Sequence, residues 1–138
     1  MTIQEIQEEI IDEFDMFDDW MQKYDYLIEL SKDIPQIEET HKVDENLIKG
    51  CQSKVWLHAT KENDSVRFTA DSDAIITKGI VALLVRVFDG QKCQDILDNE
   101  LHFINAIGLK EHLSMTRSNG LVSMIKQMKF YALAFQAK

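Results

Sequence analysis

The chain has 138 residues, 45% of them hydrophobic and 28% charged, with a formal net charge of −9 at pH 7. This length and composition predict a single globular domain, residues 1–138, with its own core. Nucleic-acid binding is not expected because it needs clustered cations, and no apolar run reaches the roughly 18 residues of a membrane span. Two cysteines and an acidic N-terminus without a signal peptide predict a cytoplasmic protein.

The charge is unevenly distributed along the chain. Residues 1–45 contain 15 acidic residues and 3 lysines, a net charge of −12, whereas residues 46–138 carry +3. A solvent-exposed acidic helix pair explains this asymmetry. Electrostatic steering toward a basic partner is the functional alternative.

The first predicted element is helical. Apolar residues recur every three to four positions over residues 3–30, which predicts an amphipathic helix. A break near Phe14 and Asp15 divides it into two, and Pro35 ends the region. Residues 38–49 are polar and predicted to be irregular, with at most a short strand around Leu47 and Ile48.

Two strands and a buried helix are predicted next. Residues 54–60 and 65–70 form a hairpin with a four-residue loop at 61–64. The residues Asp71, Ser72 and Asp73 offer N-cap side chains for a helix over residues 73–88. Its apolar residues cover nearly the whole circumference, so the helix is predicted to be central, with a buried strand as the weaker alternative.

The last third of the chain is predicted to be helical. Short helices are expected at residues 93–97 and 100–107, and a longer one at 119–137 with Thr116 or Ser118 as its cap. Helices, a hairpin and more helices in this order predict the α+β class.

The residues around Cys51 stand out chemically. Cys51 follows Gly50 and lies between Lys49 and Lys54, in a segment composed of loop residues. Nearby ammonium groups favour the nucleophilic thiolate, and glycine permits a sharp turn and close approach of a partner. A buried structural thiol is the alternative interpretation, and it is the one favoured for Cys93, at the start of a predicted helix.

The sequence offers Cys51 no evident metal or base. The four histidines, His41, His58, His102 and His112, are scattered, without zinc-site spacing, and no phosphate-binding glycine motif occurs. His58 is seven residues beyond the cysteine, about 23 Å along a strand, although the others could approach in the fold. A thiol of this kind suits sulfur exchange, in which a partner supplies the electrophile.

Four segments stand out in order along the chain: Trp20–Leu30, Gly50–Leu57, Asp71–Gly79 and Leu113–Leu121. Together they resemble the SufE family of sulfur acceptors in iron–sulfur cluster assembly, and the resemblance covers nearly the whole chain. It implies a fold similar to that of the IscU-type scaffold, a small antiparallel sheet packed against helices.

The resemblance implies a function centred on Cys51. SufE-like proteins take sulfane sulfur from a SufS-like cysteine desulfurase as a persulfide, stimulate that enzyme, and pass sulfur to a scaffold complex of the SufBCD type. The pyridoxal phosphate belongs to the desulfurase, so no cofactor is expected in this chain. Whether such a carrier counts as an enzyme in its own right, as a sulfurtransferase, stays open.

The resemblance also implies supporting residues. IscU-type scaffolds have three cysteines, and Cys51 matches the first. Near the second this chain has Asp71, Ser72 and Asp73, and near the third it has Arg117 and Ser118. The resemblance implies that Asp73 and Arg117 lie near Cys51. One cysteine would ligate a cluster poorly, so no metal is expected. The other supporting or partner-binding candidates are Lys49, Gly50, Gln52, Ser53 and Lys54. A cluster scaffold and a non-catalytic desulfurase activator are the alternative functions.

Overall fold

The structure is a computed structural model that describes residues 1–50, 53–109 and 115–137, and the side chains of all these except residues 115–118. It is an α+β fold with a small antiparallel sheet, which confirms the predicted class. The helices are α1 Ile3–Asp15, α2 Trp20–Ser31, α3 Ile75–Phe88, α4 Cys93–Asp98, α5 Phe103–Ala106 and α6 Met115–Gln136; the strands are β1 Val55–Glu62, β2 Ser65–Ser72 and β3 Gln91–Lys92.

The acidic N-terminal region is a pair of capped helices. Thr2 and Glu5 form a reciprocal capping box at the start of α1, and the Asp19 carboxylate accepts a hydrogen bond from the backbone N–H of Gln22 at the start of α2. The predicted break is confirmed, because the first helix ends at Asp15 and the second begins at Trp20. Each helix buries one face against the core and exposes most of its carboxylates.

The hairpin is longer than predicted. β1 and β2 pair in antiparallel register from Val55–Ser72 to Glu62–Ser65, so only Asn63 and Asp64 form the turn. The predicted four-residue loop at 61–64 is therefore wrong. Asn63 adopts a positive φ of 58°, a conformation that asparagine tolerates better than most residues. The short strand β3 adds to the β2 edge and was not predicted.

The central helix α3 begins later than expected. β2 continues through Ser72, which pairs with Val55, and α3 therefore starts at Ile75 with Ala74 as its N-cap residue and no capping side chain. The prediction that this helix starts at Asp73 with a side-chain cap is wrong. Its central position is confirmed, because nine of its residues are buried on all sides.

Of the remaining helices, α4 packs on α6, α5 on α1, and α6 also contacts β1. α4 and α5 occupy the regions predicted to be helical, and α6 begins at Met115, so Thr116 and Ser118 lie inside the helix rather than before it. The largest fully buried side chains include Phe14, Phe68, Phe88 and Phe103, one from each of α1, β2, α3 and α5. In the described ranges no helix has both the length and the apolar character needed to cross a bilayer.

Candidate functional site

The described residues on either side of positions 51 and 52 belong to a loop closed at its base. The backbone N–H of Ile48 donates to the carbonyl of Val55 at 2.9 Å, and Leu47 and Trp56 form an antiparallel bridge directly outside that pair. Ile48 and Val55 are buried, with 8% and 1% of their surfaces exposed. The core therefore fixes both ends of residues 49–54 side by side.

Six of the sequence-predicted candidates fall within residues 49–54, and two of these, Cys51 and Gln52, lie outside the described residues. Lys49, Gly50 and Lys54 are exposed, and Ser53 is half-buried. The two lysines are thus exposed residues on the two sides of the loop.

Lys54 is held by its backbone to the end of β2. Its N–H donates to the carboxylate of Asp73 at 3.0 Å, and its carbonyl accepts from the hydroxyl of Ser72 at 2.9 Å and from the N–H of Asp73 at 3.2 Å. These three hydrogen bonds use both polar groups of the Lys54 backbone. Asp73 therefore fastens one side of the loop, which explains why its carboxylate does not cap α3.

The other side of the loop lies against α6. Gly50 has a φ of +88°, a left-handed conformation that glycine adopts without strain. A methyl group at this position would meet the Ser123 hydroxyl oxygen at 3.1 Å. Glycine therefore serves both the turn and the close approach between loop and helix.

A buried carboxylate supports the sheet end behind the loop. Asp71 forms ion pairs with Lys42 at 2.6 Å and with Lys78 at 3.1 Å, and the Lys42 ammonium lies 5.4 Å from the centre of the Trp56 ring. Burial raises the pKa of the Asp71 carboxyl, but hydrogen bonds from Lys42, Gln36, Lys78 and the Ser72 backbone outweigh it and hold the pKa well below its usual value. Asp71 thereby joins residues 36–42, β2 and α3.

A histidine pair lies beyond the base of the loop, with His58 on β1 and His41 in the short 3-10 helix Glu39–His41. The rings of His41 and His58 stack with their centres 3.8 Å apart. Burial and the neighbouring His41 lower the pKa of His58, so the neutral form of its ring is favoured. Within the part of the chain that the structure describes, no three His, Cys, Asp or Glu side chains form a group that could hold a metal ion.

Comparison with protein families identifies the family of the chain. The sequence model of SufE, described as an Fe-S metabolism associated domain, matches residues 8–132. The chain belongs to the SufE family. Its association with iron–sulfur metabolism follows from that membership.

Named relatives of this SufE-family chain agree. An uncharacterised SufE-like protein of Rhizobium meliloti is 42% identical over 127 residues, which cover 88% of this chain and 91% of the relative. An uncharacterised SufE-like protein of Synechocystis is 34% identical over 127 residues, covering 92% and 80%. The chloroplastic/mitochondrial SufE-like protein of Arabidopsis thaliana is 36% identical over 132 residues, covering 95% of this chain and 36% of the relative.

A solved structure supports the SufE-family fold. The solution structure of a hypothetical protein from Thermus thermophilus superposes with a TM-score of 0.79 and covers 96% of this chain and 97% of that one. The two sequences are 18% identical, so the likeness concerns the fold alone.

The structure of the SufE-family chain brings some predicted residues together and adds others. One loop contains Lys49, Gly50, Ser53 and Lys54, and Asp73 fastens it through the Lys54 backbone. The backbone of residue 117 lies in the first turns of α6, and the Arg117 side chain lies outside the described part of the chain. Sequence reasoning missed three contributors, Lys42 and Lys78 on Asp71 and Ser123 beside Gly50. The contacts of Lys42 and Ser123 join positions so distant in sequence that they leave no local pattern.

Replacing Asp71 should reduce stability in a pH-dependent way. The change Asp71→Asn keeps the shape of the side chain but removes the ion pairs with Lys78 and Lys42, of which Lys42 keeps its exposed pair with Glu39. It should cost about 1–3 kcal/mol of unfolding free energy at pH 7. Because folding lowers the pKa of Asp71, its contribution is present at neutral pH and is lost as the pH falls below the usual aspartate value of 3.8. Chemical denaturation at several pH values measures both effects.

The matched control for this experiment is Asp12→Asn, which removes an exposed carboxylate from α1. It should leave the stability and its pH dependence close to those of the parent. An Asp71→Asn protein whose stability falls with acid as steeply as the parent's would contradict the role given to Asp71.

Proposed function

We propose that this chain is a sulfur acceptor and carrier: Cys51 takes sulfane sulfur from a SufS-like cysteine desulfurase and holds it as a persulfide. The carrier also stimulates the desulfurase and passes the sulfur to a scaffold complex of the SufBCD type. Residues 1–138 act as one SufE-like domain in this proposal. The cytoplasmic location we propose rests on the sequence alone.

The observation that carries the proposal is the loop with a fixed base and exposed cations. Ile48 and Val55 anchor the two ends in the core, while Lys49 and Lys54 stand exposed on either side of the segment that contains Cys51. A thiol between exposed cations favours the thiolate, which is the attacking species. A short loop on a rigid base is also suited to entering a partner's active site.

The transfer balances without an oxidant or reductant. The Cys51 thiolate attacks the outer sulfur of the donor's cysteinyl persulfide, a new S–S bond forms, and the donor's S–S bond breaks. The donor cysteine leaves as a thiolate, and the proton of the persulfide stays on the transferred sulfur. A thiolate of the next acceptor then repeats the exchange on the Cys51 persulfide. Pyridoxal phosphate is needed only in the desulfurase that generates the persulfide.

The neighbouring residues take supporting roles in this proposal. Gly50 gives the loop room to approach the partner, and Gln52 and Ser53 contact the partner or the loop's resting surface. Asp73 fixes the Lys54 side of the loop, and Arg117 adds a further cation that favours the thiolate, as the resemblance implies.

Mass spectrometry tests the proposal directly. The chain is incubated with a cysteine desulfurase and free cysteine, then digested without reductant. We expect the peptide that contains Cys51 to gain the mass of one sulfur atom. A chain that gains no sulfur under conditions where the desulfurase turns over would overturn the proposal.

The two alternative functions give different results with the same protein. A cluster scaffold would bind iron and sulfide stoichiometrically in anaerobic reconstitution and develop a stable visible chromophore. A non-catalytic activator would stimulate the desulfurase fully without carrying sulfur. The carrier is expected to show sulfur on Cys51 and no stable chromophore.

Gly50→Ala should slow sulfur acceptance while the protein stays folded. Alanine in the left-handed region costs about 1 kcal/mol, and its methyl group would press on the Ser123 hydroxyl. The loop would shift from its position against α6, and we expect roughly tenfold slower sulfur acceptance. Single-turnover transfer from the loaded desulfurase measures the rate.

Gly90→Ala is the matched control for Gly50→Ala. Gly90 also has a positive φ, +77°, but a methyl group there would meet nothing within 4 Å. Both variants should lose similar stability, while only the Gly50 variant transfers sulfur slowly. Equal transfer rates in the two variants would argue against a special position of Gly50.

A further inference from the structure

A groove runs beside the loop, between residues 45–49 and one face of α6. Its volume is about 450 Å³, and its lining includes Ile48, Lys49, Ser123, Lys126, Phe130 and Tyr131. The groove is continuous with the loop, since Lys49 belongs to both and Ser123 is the residue that Gly50 approaches.

An exposed aromatic side chain lies at this groove. Phe130 has 61% of its surface exposed, and Leu133, one turn further along α6, has 55% exposed. Aromatic side chains that are exposed beside a concave surface are frequent anchors of protein interfaces. Phe130 is seven residues beyond Ser123, or about 10 Å along the helix axis, so a protein in contact with the loop also reaches it.

The charge of the groove is opposite to that of the chain. Lys49 and Lys126 line it together with one acidic residue, Glu45, whereas the whole chain carries −9. A local positive charge on an acidic protein selects a partner surface that carries carboxylates. Together with Phe130, it defines an occupant that combines a large apolar side chain with an adjacent carboxylate.

We propose that this groove docks the sulfur-donor protein, through a donor segment whose apolar side chain packs on Phe130 and whose carboxylate pairs with Lys49 or Lys126. The proposal rests on the proposed function and adds to it a binding surface separate from the reacting sulfur. A second copy of this chain could also supply carboxylates, from its acidic residues 1–45. The donor is the favoured occupant because it must contact the loop, and the groove is continuous with the loop through Lys49.

Steady-state kinetics of a cysteine desulfurase with the carrier as varied substrate test the groove. Phe130→Ala should raise the KM for the carrier roughly tenfold, because one interface anchor is lost, and leave kcat unchanged. Lys126→Glu should raise KM as well, and more at low salt than at high salt. Sulfide release under reductant reports turnover, and thermal melting checks that each variant is folded.

Two variants serve as matched controls. Val122→Ala truncates another apolar residue of α6, which is 38% exposed. Val122 does not line the docking groove but a separate groove between α6 and residues 100–105. Lys92→Glu reverses an exposed charge on β3. Lys92 pairs with Ser65 at one end of β2, and the loop is fastened at Ser72 at the other end, about 23 Å along the strand. Both should keep the parent's KM and kcat within about twofold.

Four results would overturn the docking proposal. In the first, Phe130→Ala matches the parent in KM and kcat, so that the residue has no part in docking. In the second, Phe130→Ala lowers kcat alone, which would assign the residue to the transfer step. Sedimentation could show a parent dimer that Phe130→Ala dissociates, which would make a second copy the occupant. In each of these cases the parent still accepts sulfur; a parent that accepts none overturns the proposed function and the groove with it.

Discussion

Cys51→Ser is expected to abolish sulfur acceptance, with a loss on the order of a thousandfold or more in the transfer rate. A serine hydroxyl keeps its proton at neutral pH and attacks sulfur poorly, whereas a thiolate is the species that exchanges. The substitution changes one atom in a loop whose base is anchored by Ile48 and Val55, so the fold should persist. Mass spectrometry and single-turnover transfer measure the loss.

The second cysteine provides the matched control. Cys93 opens α4, is 6% exposed, and belongs to the hydrophobic core. Its burial keeps it from a partner's persulfide. Cys93→Ala should therefore load sulfur like the parent while losing about 1 kcal/mol of stability from the lost packing.

The Cys51→Ser protein also separates the carrier from the activator. If the chain only binds and activates the desulfurase, without chemistry on its cysteine, the serine variant should stimulate the enzyme as well as the parent does. Sulfur appearing on the variant at the parent's rate would remove Cys51 as the acceptor. Loss of both loading and turnover under reductant is the result the carrier requires.

Local sequence signals predicted most of the elements of the fold. The spacing of Ile3, Ile6, Ile10 and Phe14 defined the buried face of α1, and all four are buried. The hydrophobic circumference of α3 predicted its central position. The predictions failed where two elements compete for the same residues: pairing with Val55 extends β2 through Ser72, which delays the start of α3 beyond its expected cap.

The candidate site was predictable only in its local part. The sequence 49–54 indicates a loop, and the resemblance to the family indicates Asp73. The partners that hold the loop are not local: Ser123 lies 73 positions after Gly50, and Lys42 reaches Asp71 across 29 positions. Such contacts depend on how helices pack around the sheet, which no short pattern in one sequence encodes.

Gly79→Ala is expected to destabilise the protein by about 3 kcal/mol or more, a large part of the 5–15 kcal/mol typical of a domain. A methyl group on Gly79 would lie 2.3 Å from the backbone oxygen of Leu27, where α2 and α3 cross. A side chain could rotate away, but a carbonyl in a helix cannot, so the two helices must separate. Denaturant unfolding of the variant measures the cost.

The sign of this effect distinguishes the clash from helix propensity. In a free helix, exchanging glycine for alanine gains up to about 1 kcal/mol, so a loss can come only from packing. Ala82→Gly in the same helix is the matched control; it makes the reverse exchange at a partly buried position and should cost about 1 kcal/mol. A Gly79→Ala protein as stable as the parent would mean that α2 and α3 do not approach this closely.

The same clash should reach the loop. α3 follows directly from Asp73, whose carboxylate and N–H hold Lys54, so moving the start of α3 moves the fastening of the loop. Folded Gly79→Ala protein, studied at low temperature, should therefore transfer sulfur more slowly than the parent, whereas Ala82→Gly should not. Unchanged transfer in folded Gly79→Ala protein would show that the loop keeps its position independently of α3.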